Sequence, residues 1–159
     1  MVEAVTAPRE IRGLMIPVTN GRVLLPNATV AEVIGYSIPD RGNLSGPEWL
    51  LGRVNWRGWR LPLVSFSLLA GMALDERTTG ARVTVLKALS MHPRMPYIAM
   101  LAQGFPRLTT LSAESLVPIG EGLGRRPGVL MDLMVRDDQA MVPDLDQLER
   151  MVLEALGFS

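Results

Sequence analysis

The sequence predicts a mainly β fold that ends in one amphipathic helix. Between residues 11 and 143, short apolar segments alternate with Gly, Pro and Asn at intervals typical of an all-β domain. The Asn20-Gly21 dipeptide lies between two such segments and is a strong signal for a two-residue hairpin loop. After Pro143 the spacing of the apolar residues places them on one face of a helix, which predicts that the last element is helical.

The composition limits the classes of function. The 159-residue chain is 48% hydrophobic and 20% charged, as in an ordinary globular protein. Its formal net charge is zero, so no overall field attracts nucleic acid or an anionic membrane. The absence of cysteine excludes disulfides and thiolate zinc sites. No secretory signal and no run of roughly 20 apolar residues is present, so we expect a cytoplasmic protein.

The predicted strands follow one another along most of the chain. An α-helical interpretation of residues 81–104 remains open, because short apolar runs do not distinguish helix from strand. We expect residues 1–8 to form a flexible arm and residues 9–159 to form one domain of two β-subdomains, with a soft division near 70–80. The predicted strands are 11–18, 22–26, 29–36, two strands within 50–66, 81–89, 96–104, 107–112, 128–137 and 139–143.

The C-terminal helix carries its own start and stop signals. Asp144 with Gln147 three residues later resembles a capping box, and Gly157 is suited to end the helix. The apolar positions that share one face of this helix are Leu145, Leu148, Val152, Ala155 and Leu156.

The segment LLGRVNWRGWRLPLVSF, residues 50–66, predicts a hairpin with a cationic tip. Strand alternation assigns Arg53, Asn55 and Arg57 to one polar row, and Gly58 permits the positive φ that a tight turn requires. Trp56 and Trp59 would then lie near one another across the turn. Two interpretations stay open: a structural hairpin with solvated arginines, or an Arg-centred protein contact of the kind that dominates interface hot spots.

A third interpretation is a small β-barrel that binds single-stranded nucleic acid. Arg53, Arg57, Arg60 and the two tryptophans would form its stacking platform. The zero net charge argues against this interpretation.

No set of residues indicates an enzyme, a cofactor or a metal. His92 is the single histidine, so no Cys-His pair or histidine metal site can form. The loop GEGLGRRPG, residues 120–128, has the glycines of a phosphate loop but lacks its Lys-Ser/Thr ending. Asp132 lies within an apolar run and needs a partner, which favours a hydrogen-bonded structural role. A carboxylate-only Mg²⁺ or Ca²⁺ site stays open as an alternative, although the acidic pairs Asp75-Glu76 and Asp137-Asp138 lie in predicted turns, where acidic residues are common.

The order of these elements resembles the CheW-like chemotaxis adaptor family over residues 10–155. LLPNATVAEVIGY, residues 24–36, carries the early strand with Glu32, and GVLMDLMVRDD resembles the late strand pair. Residues 47–66 also resemble the ChpC-type adaptors of twitching-motility (type IV pilus) systems. Between these segments, the positions that match the family are Pro47, Gly52, Arg57-Gly58 and Leu61-Pro62-Leu63.

The resemblance implies two intertwined five-stranded SH3-like β-barrels with a C-terminal amphipathic helix. It also implies a non-enzymatic scaffold without a cofactor, which couples the cytoplasmic tips of methyl-accepting chemoreceptors to the regulatory domain of a CheA-like histidine kinase. No nucleic acid and no membrane insertion are implied. Arg57 and Gly58 match the family's contact residues, and the strand geometry extends the contact to Asn55 and Arg53. Ser65 stands where many of these adaptors have Asp, which puts the detailed contact network in doubt.

Overall fold

The computed structural model describes residues 10–90, 92–120 and 126–158, so the predicted arm over residues 1–8 lies outside the described residues. The described chain is mainly β and ends in a helix, as predicted. Its strands are β1 Ile11–Val18, β2 Gly21–Pro26, β3 Val30–Gly35, β4 Leu50–Trp56, β5 Trp59–Val64, β6 Arg82–Lys87, β7 Tyr97–Ala102, β8 Arg107–Leu111, β9 Leu116–Ile119, β10 Val129–Val135 and β11 Asp138–Pro143. Its helices are α1 Phe66–Leu69 and α2 Leu145–Leu156, with short 3-10 turns at Asn27–Thr29 and Ala113–Ser115.

The strands form two sheets, and the chain passes between them twice. The first sheet has the order β8-β1-β2-β11-β10-β9 and the second has the order β3-β6-β7-β5-β4. The β2–β11 and β5–β7 pairs are parallel, and the other pairs are antiparallel. The first sheet therefore has six strands, one more than the resemblance implies. The passages lie at 27–29 and 103–106, and the predicted soft division at 70–80 coincides with neither of them.

Residues 82–102 are strands, so the helical alternative for 81–104 is wrong. β7 lies between β5 and β6 and is almost entirely buried, as its apolar sequence predicts. The elements that the sequence did not predict are all short. They are the four-residue helix α1, the two 3-10 turns and the strand β9, whose sequence LVPI contains a proline.

Buried apolar side chains form a shared core and two smaller cores. The shared core takes residues from the first sheet, the second sheet and α2, such as Ile16, Val64 and Leu148. A second cluster, which includes Trp56, lies within the second sheet, and a third, which includes Leu133, lies within the first. Each sheet thus has its own apolar interior, and the shared core joins the two sheets to the helix.

The predicted hairpin loop between β1 and β2 is displaced by one residue. Val18 pairs with Gly21, so the loop consists of Thr19 and Asn20 rather than Asn20 and Gly21. Asn20 takes the left-handed conformation with φ 65°, a region in which Asn is enriched. Gly21 instead begins β2, where a Cβ would lie 2.7 Å from Cε, the flexible end of the Met72 side chain.

The helix α2 begins and ends at the predicted residues. The Asp144 side chain accepts a hydrogen bond from the Gln147 amide at 3.0 Å, and Gly157 closes the helix with φ 76°. Only this half of the capping box is formed, since the Gln147 side chain accepts instead from the Gly128 amide at 2.9 Å. No helix among the described residues is long and apolar enough to cross a membrane.

The candidate contact hairpin

The turn between β4 and β5 consists of Arg57 and Gly58. Trp56 pairs with Trp59 across it, and the φ angles of the two turn residues are 46° and 81°. A two-residue turn with positive φ at both positions has the twist that suits a hairpin. The predicted positive φ of Gly58 is confirmed. Arg57 is also left-handed, which costs on the order of 1–3 kcal/mol for a residue other than glycine, so its contacts must hold it there.

Arg57 is held by an acidic and an aromatic partner. Its guanidinium lies 3.0 Å from Oε1 of Glu32 in β3 and 5.2 Å from the ring centre of Trp56. Trp56 Nε1 donates to the same Glu32 oxygen at 3.0 Å. The Arg57 side chain nevertheless stays 70% exposed. The ion pair therefore orients the guanidinium while leaving most of it accessible, and an exposed pair of this kind contributes at most about 1 kcal/mol to stability.

These contacts also show that the second sheet curls. Strands β3 and β4 are its two edges, yet Glu32 of β3 contacts Trp56 and Arg57 at the end of β4. The curl brings together residues that are about 25 positions apart in the chain. Strand alternation alone does not predict this contact, although Glu32 belongs to the segment that resembles the family.

The two tryptophans pair across the turn, as predicted, but each also packs against a third aromatic ring. Tyr97, the first residue of β7, lies edge-on to Trp56 with ring centres 4.8 Å apart and edge-on to Trp59 at 6.4 Å. Trp56 is buried, whereas Trp59 is 41% exposed. The aromatic cluster supports the turn and leaves part of the Trp59 surface beside Arg57.

The alternation along β4 is confirmed. Positions 50, 52, 54 and 56 are buried, whereas Asn55 is exposed and Arg53 is half-buried. Arg53 is covered because the backbone of Asp40 pairs with it, through hydrogen bonds of 2.9 and 2.8 Å. Asp40 also forms an ion pair with Arg60 at 2.8 Å. Part of the loop between β3 and β4 thus lies along the outer edge of β4.

The polar row therefore divides into two neighbouring parts. Arg53 and Asn55 line a shallow depression with Asp40, Arg60 and the highly exposed Ile38. Arg57 instead pairs with Glu32 at the turn. Ile38 and Asp40 were missed because their proximity to β4 depends on a close approach of two backbones, which has no periodic signal.

Gly52 is the residue that permits this approach. It has φ 142°, and a Cβ there would lie 2.9 Å from both the carbonyl oxygen of Asp40 and Cβ of Pro39. The β4–β5 register also shifts between Leu50 and Gly52. A glycine at this position is required both by its backbone conformation and by the packing of the 39–40 segment.

Ser65, which stands where many of these adaptors have Asp, is buried. Its hydroxyl caps α1 by accepting from the Leu68 amide at 3.1 Å, and it donates to Oε2 of Glu76 at 2.6 Å. Any effect of the Ser on a partner would therefore act through the fold rather than by direct contact.

Asp132 and the glycine-rich loop are two further candidates from the sequence. Asp132 forms an ion pair with Arg126 at 2.5 Å, which confirms the expected partner. Residues 121–125 of the glycine-rich loop lie outside the described residues. Within the described ranges, no three His, Cys, Asp or Glu residues are grouped closely enough to hold a metal ion.

Comparison with known proteins identifies the fold and the family. No curated protein matches the sequence. Among solved structures, the scaffolding protein TtCheW from Thermoanaerobacter tengcongensis superposes with a TM-score of 0.70 over 91% of each chain, at 14% identity. The sequence profile of the CheW-like domain matches residues 12–152. Since that match spans most of the 159 residues, the chain belongs to the CheW-like domain family.

Proposed function

We propose that this protein is a non-enzymatic adaptor that couples a methyl-accepting chemoreceptor to the regulatory domain of a CheA-like histidine kinase. Membership of the CheW-like family supports the adaptor role. The observation that carries the choice of site is Arg57, whose guanidinium is fixed by Glu32 and Trp56 yet remains 70% exposed. A cation that is already oriented loses little conformational entropy when a partner binds.

The proposed contact surface consists of Arg57 and Gly58 at the turn, with Asn55 and Arg53 on the adjoining strand. The exposed part of Trp59 lies beside the turn, and Trp and Arg are the residue types most enriched in hot spots. The partner surface should carry a carboxylate able to pair with the guanidinium.

The charge-reversing substitution Arg57→Glu tests this surface. It should weaken co-assembly with receptor and kinase by about 2–5 kcal/mol, or roughly 30-fold or more, because it removes the pairing and introduces a wrong charge. The measurement is co-sedimentation of purified variant with receptor-containing membranes and kinase.

Two further variants distinguish an effect of the lost positive charge from an effect of misfolding. Arg57→Asn removes the cation but tolerates the left-handed conformation, so it should also weaken co-assembly while the turn is kept. Arg150→Glu reverses an exposed arginine on α2 and should leave co-assembly unchanged. Wild-type co-sedimentation of a folded Arg57→Glu protein would exclude this surface.

We further propose that the adaptor acts in the cytoplasm, within a pilus-associated system. The resemblance of residues 47–66 to the ChpC-type adaptors supports the pilus assignment. Affinity purification from the native cell tests it, because the receptor and kinase recovered should belong to a pilus system. Recovery of only flagellar components would contradict the pilus assignment and leave the adaptor role intact.

A further inference from the structure

Residues 71–77, which we call the strap, connect the end of α1 to the region before β6 and lie against the first sheet. Asn20, in the β1–β2 turn, donates from its side-chain amide to the Met72 carbonyl at 2.9 Å. The Met72 side chain packs so close to Gly21 that a Cβ there would lie 2.7 Å away. The strap thus begins beside the second sheet and is fastened to the hairpin of the first.

The Glu76 carboxylate fastens the other end of the strap. It accepts hydrogen bonds from the Thr19 hydroxyl in the first sheet's hairpin, from the Ser65 hydroxyl at 2.6 Å and from the Gln103 amide at 3.3 Å. Gln103 also donates to the Arg77 carbonyl at 2.8 Å. Hydrogen bonds to a charged acceptor are roughly twice as strong as neutral ones, so one carboxylate joins three separate parts of the chain.

Between these two attachments the strap has few contacts. Leu74 is 96% exposed, and Asp75 is exposed and makes no hydrogen bond or ion pair with the residues that the structure describes. Among the described residues the strap has no strand pairing, and the Met72 and Ala73 amides donate to the Ser67 carbonyl at 2.8 and 3.2 Å. Of the strap residues, Met72 packs against the shared core. Opening of the strap would therefore withdraw one partly buried side chain from that core and leave the strand pairing of both sheets intact.

We propose that Glu76 is the latch of a conformational device at the junction of the two sheets. With the latch closed, the strap holds Met72 over Gly21. With the latch released, the strap opens and uncovers that junction while both sheets stay folded. The position of Gly21 agrees with this arrangement, because a Cβ there would displace the flexible end of the Met72 side chain.

The test compares Glu76→Ala with Asp75→Ala, which removes the neighbouring, exposed carboxylate. Hydrogen exchange of the full-length proteins should show the Met72 and Ala73 amides exchanging at least tenfold faster in Glu76→Ala, with strand amides unchanged. A nitroxide on Leu74→Cys, the single cysteine in such a chain, should also become more mobile in the Glu76→Ala background.

Each other outcome overturns the proposal. Equal exchange in Glu76→Ala and Asp75→Ala would show that Glu76 is no latch, and uniform acceleration of strap and strands would show that the strap does not open separately. Should Glu76→Ala fail to fold, Thr19→Val removes one of the three donors with little change of shape. That variant should accelerate the same two amides severalfold, and wild-type exchange in it would equally exclude the latch.

Discussion

Glycine is needed at two positions of the β4–β5 hairpin, Gly52 and Gly58, for different physical reasons. A Cβ added to Gly58, which has φ 81°, would meet no atom within 4 Å, so the need for glycine there is purely conformational. Gly52 has a positive φ, and a Cβ there would also meet two atoms of the 39–40 segment at 2.9 Å. Gly58 therefore shapes the turn, whereas Gly52 permits the 39–40 segment to pack against β4.

Alanine at these glycines should have unequal costs. Gly58→Ala should lower the free energy of unfolding by about 1–2 kcal/mol through backbone strain. Gly52→Ala should cost about 3 kcal/mol or more, because overpacking adds to the strain. Urea denaturation of both variants measures the difference. If Gly52→Ala were no more costly than Gly58→Ala, the 39–40 segment could not be packed firmly on β4.

At the scale of elements, α2 holds the loop that follows β6. Glu149 is buried on the helix, where its carboxylate accepts from the Leu89 amide at 2.6 Å and the Ser90 amide at 2.8 Å. A buried carboxylate needs such partners, and these lie about 60 residues earlier in the chain. The helix is therefore attached to the second sheet by a polar contact as well as by the shared core.

Glu149→Ala should remove this attachment. Two amides lose their acceptor, so the free energy of unfolding should fall by about 1–3 kcal/mol. Glu154→Ala removes an exposed carboxylate from the same helix and should change stability by no more than about 0.5 kcal/mol. Thermal unfolding of the two variants makes the comparison. Equal melting temperatures would show that solvent replaces Glu149 at no cost.

The sequence predicted the elements whose signals are local. Period-two alternation located β4 and its polar row, and the Asp144 cap and Gly157 located α2. Short elements such as β9 were missed because four residues with a proline carry too weak a pattern. The Glu32–Arg57 pair, the Asp40–Arg53 pairing and the Glu76 contacts were missed because each joins distant segments, and such contacts depend on the curl and crossing of the sheets.

At the scale of the whole molecule, the two sheets are interdependent. β1 and β2 belong to the first sheet, the next five strands build the second, and β8–β11 return to complete the first. The first sheet is therefore assembled from two separated stretches of chain. Because the shared core also draws on both sheets and α2, loss of either sheet exposes apolar surface of the other.

This arrangement predicts one cooperative unfolding transition rather than two. In a Trp49→Phe background, which removes the tryptophan that packs against the shared core, Trp56 and Trp59 report on the second sheet. A fluorophore on Gln139→Cys would report on β11 in the first sheet, since the chain has no cysteine of its own. The urea midpoints from the two probes should coincide, as for a two-state domain. A lower midpoint for one probe would mean that its sheet unfolds first and that the shared core does not couple the sheets. Coincident midpoints would show that the shared core couples the β4–β5 hairpin of the second sheet to the first sheet.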